Sequence, residues 1–189
     1  KYIWLECTSQ TIPFGFQGDF TDDRLALIVK PEGGGIVRTK YFSEKESTQV
    51  LKANCILNES GLLKATIQVQ SKGLQYDQKY HLERESNLDI DKFYKSTYSY
   101  INNLKINKRN FINDKNLVEF TENLDVEAVN FGKVTNNNII FPLNVFNQSV
   151  VVPARYRARM NPFEIDQGMM DTDEMIIEIP KGYSVESKP

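Results

Sequence analysis

The most regular pattern in the chain is an alternation of apolar and polar residues on either side of one turn. Leu63, Ala65, Ile67 and Val69 alternate with Lys64, Thr66, Gln68 and Gln70. That is the period of a strand with one buried and one solvated face. Upstream, Gln49 to Leu57 alternates less strictly, and Asn58-Glu59-Ser60-Gly61 between the two runs is turn sequence. The pair predicts an antiparallel hairpin.

Weaker patterns fill in the rest. Tyr2 to Thr8 reads as an opening strand, and Pro13, Gly15 and Gly18 mark a loop that continues through the acidic turn Asp19 to Arg24. Leu25 to Val29 reads as a buried strand, and Ile36 to Thr39 returns after the Pro31-Glu32-Gly33-Gly34-Gly35 breaker, so residues 25–39 predict a second hairpin. The polar stretch Lys40 to Thr48 is the best linker candidate. One helix is predicted. Asn87 or Asp89 would cap it, and Ile90, Phe93, Tyr94, Thr97, Tyr98, Ile101 and Leu104 recur at helical spacing. Its aromatic residues mark a packing face against a sheet. Strand signals return from Phe111, at Leu117 to Phe120, Leu124 to Val129, Ile139 to Phe146 and Met175 to Ile179, with Asn-rich turns between. The expected fold is mainly β, an antiparallel sandwich-like domain with one amphipathic helix.

Composition narrows the class without naming a function. The chain has 189 residues, 40% hydrophobic and 25% charged, with 23 basic against 25 acidic side chains. That near balance, a formal net charge of −2, argues against a general nucleic-acid binder, which shows a basic excess. No apolar run reaches the roughly 18 residues of a membrane-spanning helix. Cys7 and Cys55 are the only cysteines and His81 the only histidine. They fit no close-spaced metal pattern, and no cofactor is implied. A bond between the two cysteines would be worth about 4 kcal/mol by chain entropy. The alternative is two unpaired thiols acting as small apolar side chains.

Candidate chemistry is sparse. A Cys–His nucleophile would need Cys7 or Cys55 beside His81, and neither cysteine opens a helix that would lower its pKa. Two acidic clusters, Asp19/Asp22/Asp23 and Asp166/Asp171/Asp173/Glu174, raise a calcium reading but lack the helix-flanked twelve-residue spacing. Arg155, Arg157 and Arg159 alternate with Ala154, Tyr156 and Ala158, so a strand would set three guanidiniums on one face. Such a row suits carboxylates, sulfated glycans or the acidic edge of a partner, or simply a solvated strand face. Gly33-Gly34-Gly35 lacks the Lys and helix of a phosphate loop.

Several motifs carry a family resemblance. Trp4-Leu5-Glu6-Cys7-Thr8, then Pro13-Phe14-Gly15-Phe16, Gly18 to Arg24 and the Pro31-Glu32-Gly33-Gly34 turn resemble the C-terminal edge of a bacterial transglutaminase-like domain with a papain-type core. Asn161-Pro162-Phe163 and Ile179 to Ser187 resemble motifs of the C-terminal β domain of unknown function found in the same exported, multidomain proteins. The resemblance implies that residues 1–40 are terminal strands of the transglutaminase-like domain, and 41–189 a C-terminal β domain truncated at its end. It places Glu6 where the acid of a Cys–His–Asp triad stands, with Glu for the usual Asp. The catalytic Cys and His would then lie upstream, in a core of the same polypeptide. The abrupt start fits a fragment of a longer protein. The expected function is therefore a non-catalytic accessory domain of an exported, periplasmic or cell-surface protein. The alternative is an extracellular glycan- or peptide-binding module acting through the arginine row or the tyrosines.

Overall fold

The computed structural model describes residues 2–148, 157, 158, 160, 162 and 167–186. The hairpin predicted around Asn58 forms the centre of the molecule. β3 (Thr48–Leu57) and β4 (Leu63–Lys72) pair antiparallel with Gln49 opposite Ser71 and Leu57 opposite Leu63. The Asn58 side chain ties the turn by accepting from the amides of Ser60 at 3.0 Å and Leu62 at 2.9 Å. Gly61 adopts φ +78° there, and a Cβ would collide with the backbone of Gly132, so both the turn and its neighbour require glycine.

Around this hairpin a five-stranded sheet assembles in the order β5-β6-β4-β3-β9, with β5 (Leu104–Asp114), β6 (Glu119–Ala128) and β9 (Met170–Glu178). All pairings are antiparallel except β3 with β9. The parallel pairing is possible because a long stretch of chain separates β6 from β9, whereas a short turn permits only antiparallel return. The mainly β character expected from the alternation is therefore present, in a mixed sheet. Short pieces complete it: β1 (Leu25–Lys30) with β2 (Gly33–Arg38), and β7 (Lys133–Thr135) with β8 (Asn138–Ile140), each pair forming a two-stranded sheet of its own.

One face of the large sheet is the core. Leu51, Ala53 and Cys55 of β3, Leu63 to Val69 of β4 at alternate positions, and Leu124, Val126 and Ala128 of β6 all turn to it and are buried. The helix α2 (Asn87–Thr97) covers this face with Ile90 and Tyr94, and Tyr98 and Ile101 just beyond it join them. Ser86, not Asn87 or Asp89, is the cap. Its hydroxyl accepts from the Asp89 amide at 3.2 Å and donates to the Asp89 carboxylate at 2.7 Å, so the serine side chain satisfies one of the free amides of the first turn. The helix ends at Thr97, so Leu104 is not helical: Asn103 takes φ +57° and Leu104 opens β5.

A second buried cluster joins the N-terminal segment to the sheet. Phe16 and Phe42, which flank the β1–β2 hairpin, pack with Leu74 and Tyr76 of the short helix α1 (Leu74–Asp77), with Leu82 of a 3-10 turn, and with Phe120 of β6. Phe16 meets Tyr76 edge-on at 5.4 Å between ring centroids and Phe42 at 5.4 Å.

Three expectations are corrected. Residues 2–8 form no strand, because they find no partner for their backbone groups among the described residues. Leu117 to Phe120 and Leu124 to Val129 are not separate strands. Val118 sits at φ +51° in a turn and β6 runs unbroken from Glu119 to Ala128. Beyond Ile140 the Ile139 to Phe146 run turns, and Val145 and Phe146 are buried outside any strand.

Candidate functional site

The body of the protein holds its own core tightly, and its polar groups are mostly spent on that task. Glu122 points from β6 into the core between Phe120 and Leu124, and its carboxylate accepts from the Tyr94 hydroxyl at 2.6 Å and the Lys79 ammonium at 3.0 Å. Burial and the adjacent Glu122 charge push the Tyr94 pKa upward, so the phenol stays protonated and donating. Arg109 of β5 reaches Asp91 and the Asn87 side chain of α2. Asn113 accepts from the Tyr76 hydroxyl at 3.0 Å and donates to Glu83 at 2.8 Å. Each of these pairs pins a covering element to the sheet.

The residues singled out by sequence do not converge. Glu6 is half-buried, and its carboxylate accepts from the Thr8 hydroxyl at 2.6 Å and the Thr8 amide at 2.9 Å. The Thr8 hydroxyl bond holds its pKa below the ordinary value. Cys7 is exposed, and Cys55 lies in the core with its thiol pushed up to about 11 by burial. Both are free, and neither bonds to His81, which is exposed and edge-on to Phe93 at 6.3 Å. The reading of both as unpaired thiols acting as small apolar side chains in strands fits Cys55 and is corrected for Cys7, which is exposed and outside any strand.

The first acidic cluster separates into three tasks. Asp22 is buried and accepts from the Phe42 amide at 2.8 Å, and burial raises its pKa. Asp23 pairs with Arg38 at 2.7 Å across the base of the hairpin. The backbone amide of Asp19 donates to Asp77 at 2.9 Å, an approach that needs glycine at position 18, where a Cβ would strike the Asp77 carboxylate. In the second cluster, the amide of Asn147 donates to both Asp171 and Asp173 at 3.1 Å, while Glu174 faces Lys52. Asp166 lies outside the described residues. No group of three metal-ligating side chains occurs among the described residues. Of the arginine row, Arg155 and Arg159 lie outside the described residues, and Arg157 is exposed in a bend.

The surface carries what the sequence did not single out. Leu25, Leu27 and Val29 of β1 are 68%, 69% and 81% exposed, and Ile36, paired across from Leu27, is 72% exposed. These four side chains share one face of the hairpin, while Ala26, Ile28 and Val37 on the other face are half-buried. Gly34 faces Val29 and adds no side chain to the stripe. The signal was present as the apolar run Leu25 to Val29, which implies burial without saying against what.

A family described as a Domain of Unknown Function with solved-structure structure (DUF3858) matches residues 137–189. The match takes in β8, β9 and the Ile179 to Ser187 motif, and covers the last part of the chain only. No curated protein and no solved structure matches the chain.

Proposed function

We propose that this chain is a non-catalytic accessory module that packs against, and positions, a transglutaminase-like catalytic core in the same exported polypeptide. The observation that carries the reading is the uncovered apolar face of the β1–β2 hairpin. An isolated two-stranded hairpin is marginal in water, and its open edges invite pairing. Its base is nevertheless fixed: the Thr39 amide donates to the Arg24 carbonyl at 2.8 Å, the Asp23 amide donates to Lys40 at 2.8 Å, and Phe16 and Phe42 anchor both ends in the core.

Magnitudes favour a partner in the same polypeptide. Covering an aliphatic side chain yields about 1.5–3 kcal/mol, so the four residues offer about 6–12 kcal/mol. Bringing together two separate molecules costs about 4–15 kcal/mol in lost freedom. A tethered core avoids most of that cost. The resemblance of Trp4 to Thr8 to a triad-bearing edge supplies the identity of the core, and in it Glu6 would orient the imidazole of an upstream His.

The test is made in the polypeptide that carries the core. Leu27→Asp with Val29→Asp is expected to lower the melting temperature of the core while leaving this module folded. An unchanged core would overturn the reading. The isolated chain is expected to show no acyl transfer or peptidase activity.

A further inference from the structure

The second face of the five-stranded sheet is not covered by any described element, and its side chains are arranged in rows across the strands. One row runs Glu174, Lys52, Gln68, Asn123, and its members pair with one another: Gln68 donates to Asn123 at 3.0 Å and Lys52 faces Glu174 at 3.9 Å. The adjacent row runs Ile176, Asn54, Thr66, Asp125. Here Asn54, Thr66 and Asp125 make no side-chain hydrogen bond among the described residues, although they sit side by side on neighbouring strands. The next row contains Glu178, Ile56, Lys64 and Glu127, whose side chains are longer.

Short side chains bordered by longer ones leave a hollow of about 410 Å³. Its floor is the backbone of Cys55, Ala65 and Val126, whose side chains point the other way into the core. The β5 bulge between Ile106 and Lys108 adds Asn107 to the lining. Bulges re-aim a side chain at the margin of a sheet, and they recur beside functional sites. On the β3–β9 side, Ile56 and Ile176 are 56% and 59% exposed and form an apolar wall.

We propose that this hollow binds an oligosaccharide. Amide and hydroxyl groups both donate and accept, as the hydroxyls of a sugar do, and Asn54, Thr66 and Asn107 present them uncommitted. Asp125 adds an acceptor for a hydroxyl pair or an amine, and the isoleucine wall suits the apolar face of a pyranose ring. The hollow is shallow and open to solvent, which suits sugar rings laid across the strands more than a ligand enclosed on all sides. An extended peptide fits less well, because peptide strands bind at an open sheet edge and this hollow lies in the middle of a face. The inference is independent of the hairpin: a module that holds a core through one surface has this second surface free to bind a saccharide.

The experiment is a titration of the isotopically labelled chain, followed by NMR, with chito-, cello- and malto-oligosaccharides and, separately, a lysine-rich peptide. At least one oligosaccharide is expected to shift the amides of residues 54, 66, 107 and 125 in a saturable way. Thr66→Tyr would fill the hollow from an exposed strand position, and it is expected to weaken that binding by about tenfold or more. Asp125→Asn keeps the hollow open and is expected to weaken it less. Both variants should keep the wild-type spectrum elsewhere, which shows that they fold. No shift with any sugar, shifts centred elsewhere, binding unaffected by Thr66→Tyr, or shifts with the peptide alone would each overturn the proposal. None of these results touches the docking of the hairpin, which is read from the stability of the core.

Discussion

β4 and β1 each carry an apolar stripe on one face, and the two stripes meet opposite fates. In β4, Leu63, Ile67 and Val69 are 1%, 2% and 3% exposed, pressed beneath α2 and between two neighbouring strands. In β1, Leu25, Leu27 and Val29 stand out from a hairpin with a single partner strand. The difference lies in what each strand is offered. β4 is the middle strand of five and has a helix above it, whereas β1 has glycines opposite half its length and nothing above its apolar face among the described residues. An apolar stripe specifies that a face should be covered. The cover itself is a tertiary fact, and in β1 it is missing among the described residues.

That contrast can be broken most forcefully in the core. Ile67→Ala is expected to cost about 2–5 kcal/mol in urea unfolding, through lost transfer energy and a cavity, while Leu27→Ala in this chain should change stability by less than about 0.5 kcal/mol. Equal costs would mean that the hairpin face is covered in the isolated chain. Glu122→Ala is expected to cost about 3–5 kcal/mol, because it leaves the Lys79 charge and the Tyr94 hydroxyl without their buried partner. A cost near zero would show that α2 and the 3-10 turn are held by apolar packing alone.

A smaller effect separates the base of the hairpin from its tip. Asp22 and Asp77 are both held above the ordinary aspartate value of 3.8, chiefly by burial. Their protonated forms are therefore favoured on folding. This contribution is fully present below the ordinary value and is lost as pH rises through the raised one. Asp77→Asn should stabilise the protein at neutral pH relative to the parent, and the gain should vanish on acidification. A gain that grows toward low pH would contradict the assignment. The gentlest probe is chemical. A maleimide should label Cys7 in the native chain and spare Cys55 until it unfolds, and rapid labelling of both would mean that the core opens readily.

Much of this architecture was legible where local pattern and tertiary role agree. The sequence marks the β3–β4 hairpin to within a residue or two, because strict alternation coincides with a turn that Asn58 and Gly61 can make. β5 was hidden by its bulge. Leu104 and Ile106 face the core on one phase, and Arg109 and Phe111 on the other, so no single alternation runs through the strand. The apolar spacing overstates the helix, because Tyr98 and Ile101 continue it after the backbone has left the helix and pack into the same core. The acidic clusters looked like candidate cation sites, but sequence does not record that Asp22, Asp23 and Asp171 each have a donor nearby. The hollow on the open face was unreadable for a related reason. It exists because Asn54, Thr66 and Asp125, distant in sequence, become neighbours only through strand register.

The most direct test of the central claim is the chemical accessibility of the hairpin face, measured with a cysteine at position 27 in a Cys7→Ser background. Leu27→Cys should react with a maleimide at the rate of an exposed thiol in this chain, and at least about tenfold more slowly in the proposed longer polypeptide with a transglutaminase-like core, the ratio that about 1.4 kcal/mol of cover would give. Equal rates in the two would contradict the account, since the apolar face would then be as open beside the core as it is without it.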